Sequence, residues 1–150
     1  MTVALVSPPT CDPTAPYVAV PLLTGWLRAH GVDVLPVDAN VGACEHLLRA
    51  PALEELVSGV SRRYRELNRR SSLSHEEQGR YVTLLDCLRA SADLPASIGP
   101  ALECLRGLGP GFYDLPTYER SVDVLERALG LVSAAHAPLE LSFASYRSPF

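Results

Sequence analysis

The chain has 150 residues, of which 47% are hydrophobic and 20% charged, a composition typical of a globular domain and not of a disordered segment. Its formal net charge of -4 argues against nucleic-acid binding, which usually requires a surplus of basic residues. No apolar run reaches the roughly 20 residues that span a bilayer, and residues 2–6 are too short and lack the basic leader of a secretory signal. We therefore expect a cytoplasmic protein without a membrane partner. The use of Arg at every basic position indicates a GC-rich bacterial genome.

The first elements form a strand, a helix and a second strand. Residues 2–6 are apolar and β-branched and stop at two prolines, which is typical of a short buried strand. Residues 7–16 hold four prolines, so this loop is stiff although irregular. A helix is predicted from residue 18 or 21 to residue 29, followed by a strand over residues 32–37 that ends at Asp38.

This order predicts a βαβ unit, and therefore a parallel sheet with a right-handed crossover. Pro36 cannot donate a ladder hydrogen bond, so the second strand should lie at the edge of the sheet, as strand two does in the flavodoxin-like order 2-1-3-4-5. The predicted helix has an apolar face made of Leu22, Leu23, Trp26 and Leu27.

The middle of the chain has helical periodicity. Apolar residues recur at helical spacing, and Ser74 with Glu77 forms the S-x-x-E pattern of a capping box. These patterns predict four helices, over residues 51–67, 74–88, 96–106 and 116–132.

Residues 139–143 are apolar again and predict a third strand. The predicted fold class is α/β, a partial Rossmann or flavodoxin-like parallel sheet with a large helical insertion. The chain divides into a βαβ unit (1–41), the insertion (42–136), and the third strand with the start of a continuation (137–150). Because a doubly wound sheet normally has five strands, we expect this chain to be the first part of a longer polypeptide.

Two stretches carry a resemblance to a known family. The first reads Val-Ala-Leu-Val-Ser-Pro-Pro over residues 3–9. The second reads Pro-Leu-Leu-Thr-Gly-Trp-Leu-Arg-Ala-His-Gly over residues 21–31 and leads to Val-Asp-Ala-Asn at residues 37–40. Together they resemble the N-terminal cobalamin-binding domain of cobalamin-dependent radical S-adenosylmethionine (SAM) enzymes. Those domains begin with a strand, an (N/S)PP turn, a P-L-x-x-(A/G)-x-L-x-x-x-G helix and a strand ending in Asp.

The resemblance implies a cobalamin site at one edge of the sheet. In open α/β sheets, ligands bind beyond the carboxyl ends of the strands, where the loops after strands one and two lie. A stiff Pro-rich loop suits a flat wall for a corrin, and the N-terminus of the next helix offers backbone N–H groups. The candidate cofactor-binding residues are Ser7, Pro8, Pro9, Thr10, Asp12, Asp38 and Asn40.

Two cofactor-binding motifs are absent from the chain. It lacks the C-x-x-x-C-x-x-C motif, and an iron–sulfur cluster needs such clustered thiolates. It also lacks D-x-H-x-x-G, through which the cobalamin domains of mutases ligate cobalt. We therefore expect the chain itself to be non-catalytic. The resemblance implies that the iron–sulfur cluster, SAM and the methyl transfer or related radical reaction belong to the missing remainder of the polypeptide, the chain's expected partner.

Other interpretations remain open. The chain could instead be a non-catalytic helical interaction module whose βαβ edge docks on a partner, and an unpaired sheet edge predicts self-association. A nucleotide-binding Rossmann domain is disfavoured because no G-x-G-x-x-G follows strand one. The scattered cysteines, with no C-x-x-C pair, predict reduced thiols, although Cys11 lies in the candidate loop. The adjacent Cys44, Glu45 and His46 would point in different directions on a helix, so a metal site is disfavoured there. Five arginines predict a solvated helix face: Arg62, Arg63, Arg65, Arg69 and Arg70.

Overall fold

The computed structural model describes residues 2–7, 18–107, 109–143 and 145–147. The chain forms two compact units, an N-terminal unit of residues 1–46 and a helical unit of residues 47–150. Within the described residues, no helix combines the length and the hydropathy needed to cross a membrane.

The N-terminal unit contains the predicted βαβ arrangement. Strand β1 (Thr2–Ser7) leads to helix α1 (Ala19–Ala29), and strand β2 (Asp33–Asp38) pairs with β1 in parallel. Gly31, at φ +77° just after α1, adopts the left-handed conformation that ends many helices and that glycine adopts without steric cost. The parallel pairing of the first two predicted strands is therefore confirmed.

Helix α1 turns a different face towards the sheet from the one that the sequence predicts. Thr24 is buried at 6% exposure, with Val20 and Leu27 half-buried beside it. Three of the four residues of the predicted apolar face point outwards, with Leu22 at 68%, Leu23 at 51% and Trp26 at 59% exposure, and only Leu27 lies on the half-buried side. The prediction failed because apolar residues surround most of this helix, so their spacing alone does not select one side.

Directly after β2 the chain enters helix α2 (Ala39–Leu47). The helical unit then contains four longer helices, which confirm the four predicted from periodicity. They are α3 (Ala50–Asn68), α4 (His75–Ala90), α5 (Leu94–Leu105) and α6 (Leu115–Ala135), with a single 3-10 turn (Pro110–Tyr113) before α6.

Helix α6 is the centre of the helical unit. It packs against α3, α4 and α5, and eight of its residues are buried. Its apolar residues recur at steps of three and four, so one broad side can face three neighbouring helices at once.

The helix ends follow ordinary capping chemistry. Ser74 Oγ accepts a hydrogen bond from the Glu77 N–H at 3.2 Å, and Glu77 Oε2 accepts one from the Ser74 N–H at 2.9 Å. This reciprocal pair is the predicted capping box. Asp114 caps α6 in the same manner by accepting from the Thr117 N–H at 3.2 Å.

The third predicted strand does not extend the parallel sheet in the described residues. Only Glu140–Leu141 forms a strand there (β3), and it pairs in antiparallel fashion with Tyr146–Arg147 (β4) in a separate two-stranded sheet. The physical reason is local, since Ser133 Oγ on α6 accepts a hydrogen bond from the Leu141 N–H at 2.8 Å. The coarse class, α/β with a mostly helical chain, is confirmed, and the parallel sheet is two strands wide.

Candidate cofactor-binding edge

The candidate site lies where β1 and β2 both end. Ser7 and Asp38 are the last residues of the two strands and stand opposite each other in the parallel register. Ser7 is buried, at 3% exposure. A hydroxyl and a carboxylate are therefore placed side by side at the carboxyl edge, the usual ligand edge of an open α/β sheet.

Asp38 also has a structural task at this edge. Its Oδ1 accepts a hydrogen bond from the Val41 N–H at 3.0 Å, which satisfies one of the backbone donors at the start of α2. The helix cap therefore uses one of the hydrogen-bond acceptor positions of this carboxylate. A ligand at the edge would use the remaining acceptor positions.

Asn40 occupies a different setting from the loop position that the sequence predicts. It lies in the first turn of α2 and is buried, at 8% exposure. The sequence missed this because α2 begins at Ala39, directly after the last strand residue Asp38, so no loop separates β2 from α2.

The other candidate residues fall outside the described part of the chain. These are Pro8, Pro9, Thr10 and Asp12, together with Cys11. The geometry of the candidate edge is thus defined by Ser7, Asp38 and Asn40.

One buried polar residue of the N-terminal unit is not among the residues predicted from the sequence. The Thr24 hydroxyl, on the sheet-facing side of α1, is buried without a hydrogen-bond partner among the described residues. A threonine within an apolar helix gives no sequence signal of this kind, because its burial depends on which side of the helix faces the sheet.

Two other features of the sequence were candidate sites: the side chains that could hold a metal ion and the five clustered arginines. In the part of the chain that the structure describes, no group of three or more His, Cys, Asp or Glu side chains is placed to hold a metal ion. Three of the five clustered arginines make contacts within the helical unit. Arg63 donates to the Ala135 carbonyl, Arg65 to the Ser61 carbonyl and Arg70 to the Glu77 carboxylate.

Comparisons with known proteins found no match: no family model, no curated protein and no solved structure is similar to the chain.

Proposed function

We propose that this chain is the cobalamin-binding portion of a cobalamin-dependent radical SAM enzyme. The observation that carries the proposal is the parallel β1–α1–β2 unit, which brings Ser7 and Asp38 together at one sheet edge. The stretch with this geometry is the stretch whose sequence resembles those domains, residues 3–40. The wider Rossmann-like sheet belongs to the same proposal, with further strands supplied by the rest of the polypeptide.

The polar side chains at this edge fit a corrin that is held through the groups around its ring. Ser7 supplies a hydroxyl and Asp38 a carboxylate, groups that hydrogen-bond to the amide side chains around a corrin. The Pro-rich loop that follows Ser7 would line the flat side. Bound cobalamin would supply a cobalt centre that carries a transferable alkyl group. This chain would hold and orient the cofactor, while the iron–sulfur cluster and SAM act in the missing remainder.

Titration of the purified chain with hydroxocobalamin tests the proposal. Saturable changes in the visible spectrum, with cobalamin retained on equilibrium dialysis, are expected. Asp38→Asn should weaken binding several-fold, because it keeps an acceptor for the Val41 N–H but removes the charge at the edge.

Asp33→Asn is the matched control, since Asp33 lies at the opposite end of the same strand, where it accepts a hydrogen bond from the Thr2 hydroxyl at 2.6 Å. It should bind cobalamin as the parent does. No binding by a folded chain, or equal losses in the two variants, would overturn the proposed site.

The enzyme assignment has its own test in the gene. The reading frame beyond the codon for Phe150 should continue into a segment encoding C-x-x-x-C-x-x-C, the cluster motif that this chain lacks. A stop codon directly after Phe150 would contradict membership of a radical SAM enzyme.

A docking module is the second candidate, and the exposed sheet favours it. The face of the sheet opposite α1 carries Ala4, Val6, Leu35 and Val37, with Val6 at 55% and Leu35 at 57% exposure. Parallel sheets are normally covered on both faces, and β1 has neither charge nor proline to protect its free edge. A second copy of this chain is the partner that this candidate function places there.

Light scattering separates the two candidates. Self-association that Val6→Lys abolishes, without any cobalamin binding, would favour the docking module. A chain that is strictly monomeric and binds cobalamin would exclude self-association through this edge.

A further inference from the structure

A groove in the helical unit is unrelated to the candidate cofactor edge. It lies where α3 and α4 meet the C-terminal end of α6 and has a volume of about 790 Å³. Arg63, Glu76, Arg80 and His136 supply its charged and polar lining, while Leu84 and Ala135 contribute apolar surface.

The charges in this groove are not balanced internally. Arg63 uses one donor on the Ala135 carbonyl, and the guanidinium group has five N–H donors in total. The Arg80 guanidinium group makes no hydrogen bond or ion pair in the described part of the chain. Two permanently charged arginines therefore face a single carboxylate, Glu76, in a chain whose net charge is -4. The surplus of one positive charge is complementary to a monoanion.

An apolar groove continues from this basic end. It has a volume of about 500 Å³ and shares Thr83, Ala134 and Ala137 with the first groove. Cys87, Gly130, Pro138 and Leu139 line its far part. Asp86, Arg127 and Glu140 also line it, and each is paired with an opposite charge outside the groove, on Arg89, Asp93 and Arg147 respectively. The seven residue steps along α4 from Arg80 to Cys87 span about 10 Å at 1.5 Å per residue. A basic end thus leads into an apolar channel along α4 and α6.

We propose that this channel binds a small linear carboxylate with an apolar tail. The carboxylate contacts Arg80 and the remaining donors of Arg63, because guanidinium groups bind carboxylates through paired, charge-assisted hydrogen bonds. The tail lies against Ala134 and Ala137 and extends towards Cys87 and Leu139. Both groove volumes lie in the range of about 300–1,000 Å³ that small-molecule sites occupy.

Octanoate is the probe, with calorimetry on the whole chain. Octanoate should bind, whereas acetate, which lacks the tail, and octanol, which lacks the charge, should bind at least tenfold more weakly. Arg80→Gln should weaken octanoate binding by tenfold or more. Arg120→Gln is the matched control, since Arg120 lies on α6 outside both grooves, where its side chain donates to the Pro116 carbonyl and to the Thr117 hydroxyl, and it should leave the affinity unchanged.

Alkylation of Cys87 locates the bound tail. Cys87 is half-buried and lines the apolar part, so saturating octanoate should slow its modification by a maleimide, as read by peptide mass spectrometry. Cys104, on α5 and beside Gly111, is outside the groove and should react at the same rate with and without octanoate.

Gly130→Leu tests whether the apolar tail occupies the part of the channel that Gly130 lines. A Cβ at Gly130 meets no atom within 4 Å, so the larger side chain can enter the channel and displace the tail while the chain stays folded. Unchanged octanoate affinity in both Arg80→Gln and Gly130→Leu, or equal protection of Cys87 and Cys104, would overturn the proposal. Because the candidate cofactor edge lies in the other unit, cobalamin binding and octanoate binding can fail independently.

Discussion

The two units of the chain bury their apolar side chains to very different extents. In the described residues, the helical unit holds every buried hydrophobic residue of the core except Val34. The N-terminal unit, although much shorter, holds eight of the twelve large hydrophobic residues that are exposed. These are Val6, Val18, Leu22, Leu23, Trp26, Leu35, Val37 and Val41.

The difference shows that apolar content and burial are separate properties. Three helices packed around α6 can surround an apolar interior, so the helical unit closes its own core. A sheet of two strands with one packed helix has too few layers to cover both of its faces. Three of these exposed residues, Val6, Leu35 and Val37, lie on the sheet face opposite α1, a face that helices normally cover in parallel sheets.

The largest expected effect compares one substitution in both units. Leu131→Ala should lower the free energy of unfolding by about 2–5 kcal/mol, because Leu131 is completely buried and its truncation leaves a cavity. Leu22→Ala, the same change at a residue that is 68% exposed, should cost less than about 0.5 kcal/mol. Urea denaturation followed by circular dichroism measures both. Equal losses of unfolding free energy in the two variants would contradict the difference in burial between the two units.

The second prediction concerns a polar contact between helices. Arg127 on α6 donates to the Ala90 carbonyl at 2.9 Å and to Asp93 Oδ1 at 2.7 Å. Arg127→Gln should cost about 1–2 kcal/mol, since hydrogen bonds to charged groups are strong but exposed Asp93 is screened by water. Arg120→Gln, whose side chain bonds only within α6, should stay within about 0.5 kcal/mol of the parent. Indistinguishable urea midpoints for the two variants would show that this contact adds nothing to the core.

A smaller effect is expected at the start of α4. Ser74→Ala removes the acceptor for the Glu77 N–H and should cost about 1 kcal/mol. Ser71→Ala, at a nearby exposed residue before the cap, should change the stability by less than about 0.5 kcal/mol. Thermal unfolding of the two variants side by side measures the difference. A loss in Ser71→Ala as large as that in Ser74→Ala would contradict the cap.

The smallest effect is a pH dependence of the same cap. The hydrogen bond from the Ser74 N–H, and then the charge of Arg70, lower the pKa of Glu77 below its ordinary value of 4.5. The ionised carboxylate therefore stabilises the folded chain fully above pH 4.5, and this contribution disappears as the pH falls through the lowered pKa.

Glu77→Gln keeps an acceptor for the cap but does not titrate. Its stability deficit relative to the parent should be present at neutral pH and shrink in acid, as measured by urea unfolding at a series of pH values. The exposed Glu119→Gln variant serves as the control, and its difference from the parent should change less over the same range. If the stability deficit of Glu77→Gln is the same at every pH, the ionised carboxylate is not the source of the stability that the parent has in excess.

Much of the local structure was predictable from the sequence. The helices of the helical unit follow from apolar residues at steps of three and four, and the capping box at Ser74 follows from its four-residue pattern. The parallel pairing of β1 and β2 follows from the strand–helix–strand order. Of the candidate site, the sequence placed Ser7 and Asp38 at a common edge.

Other features depended on contacts that no local pattern encodes. The outward turn of Trp26 depends on which side of α1 reaches the sheet, and the pairing of Glu140–Leu141 with Tyr146–Arg147 depends on a hydrogen bond to Ser133 of α6. The channel between Arg80 and Cys87 exists only because α4 and α6 lie side by side with small residues between them.

The sequence by itself determined the four longer helices of the helical unit, the capping box at Ser74 and the parallel pairing of β1 with β2. Those properties depend on side-chain spacing and capping within a few residues. Only the tertiary structure decided that the apolar residues of the first unit stay exposed while those of the second are buried. Burial depends on how many layers are available to cover each face, and that number is a property of the assembled fold.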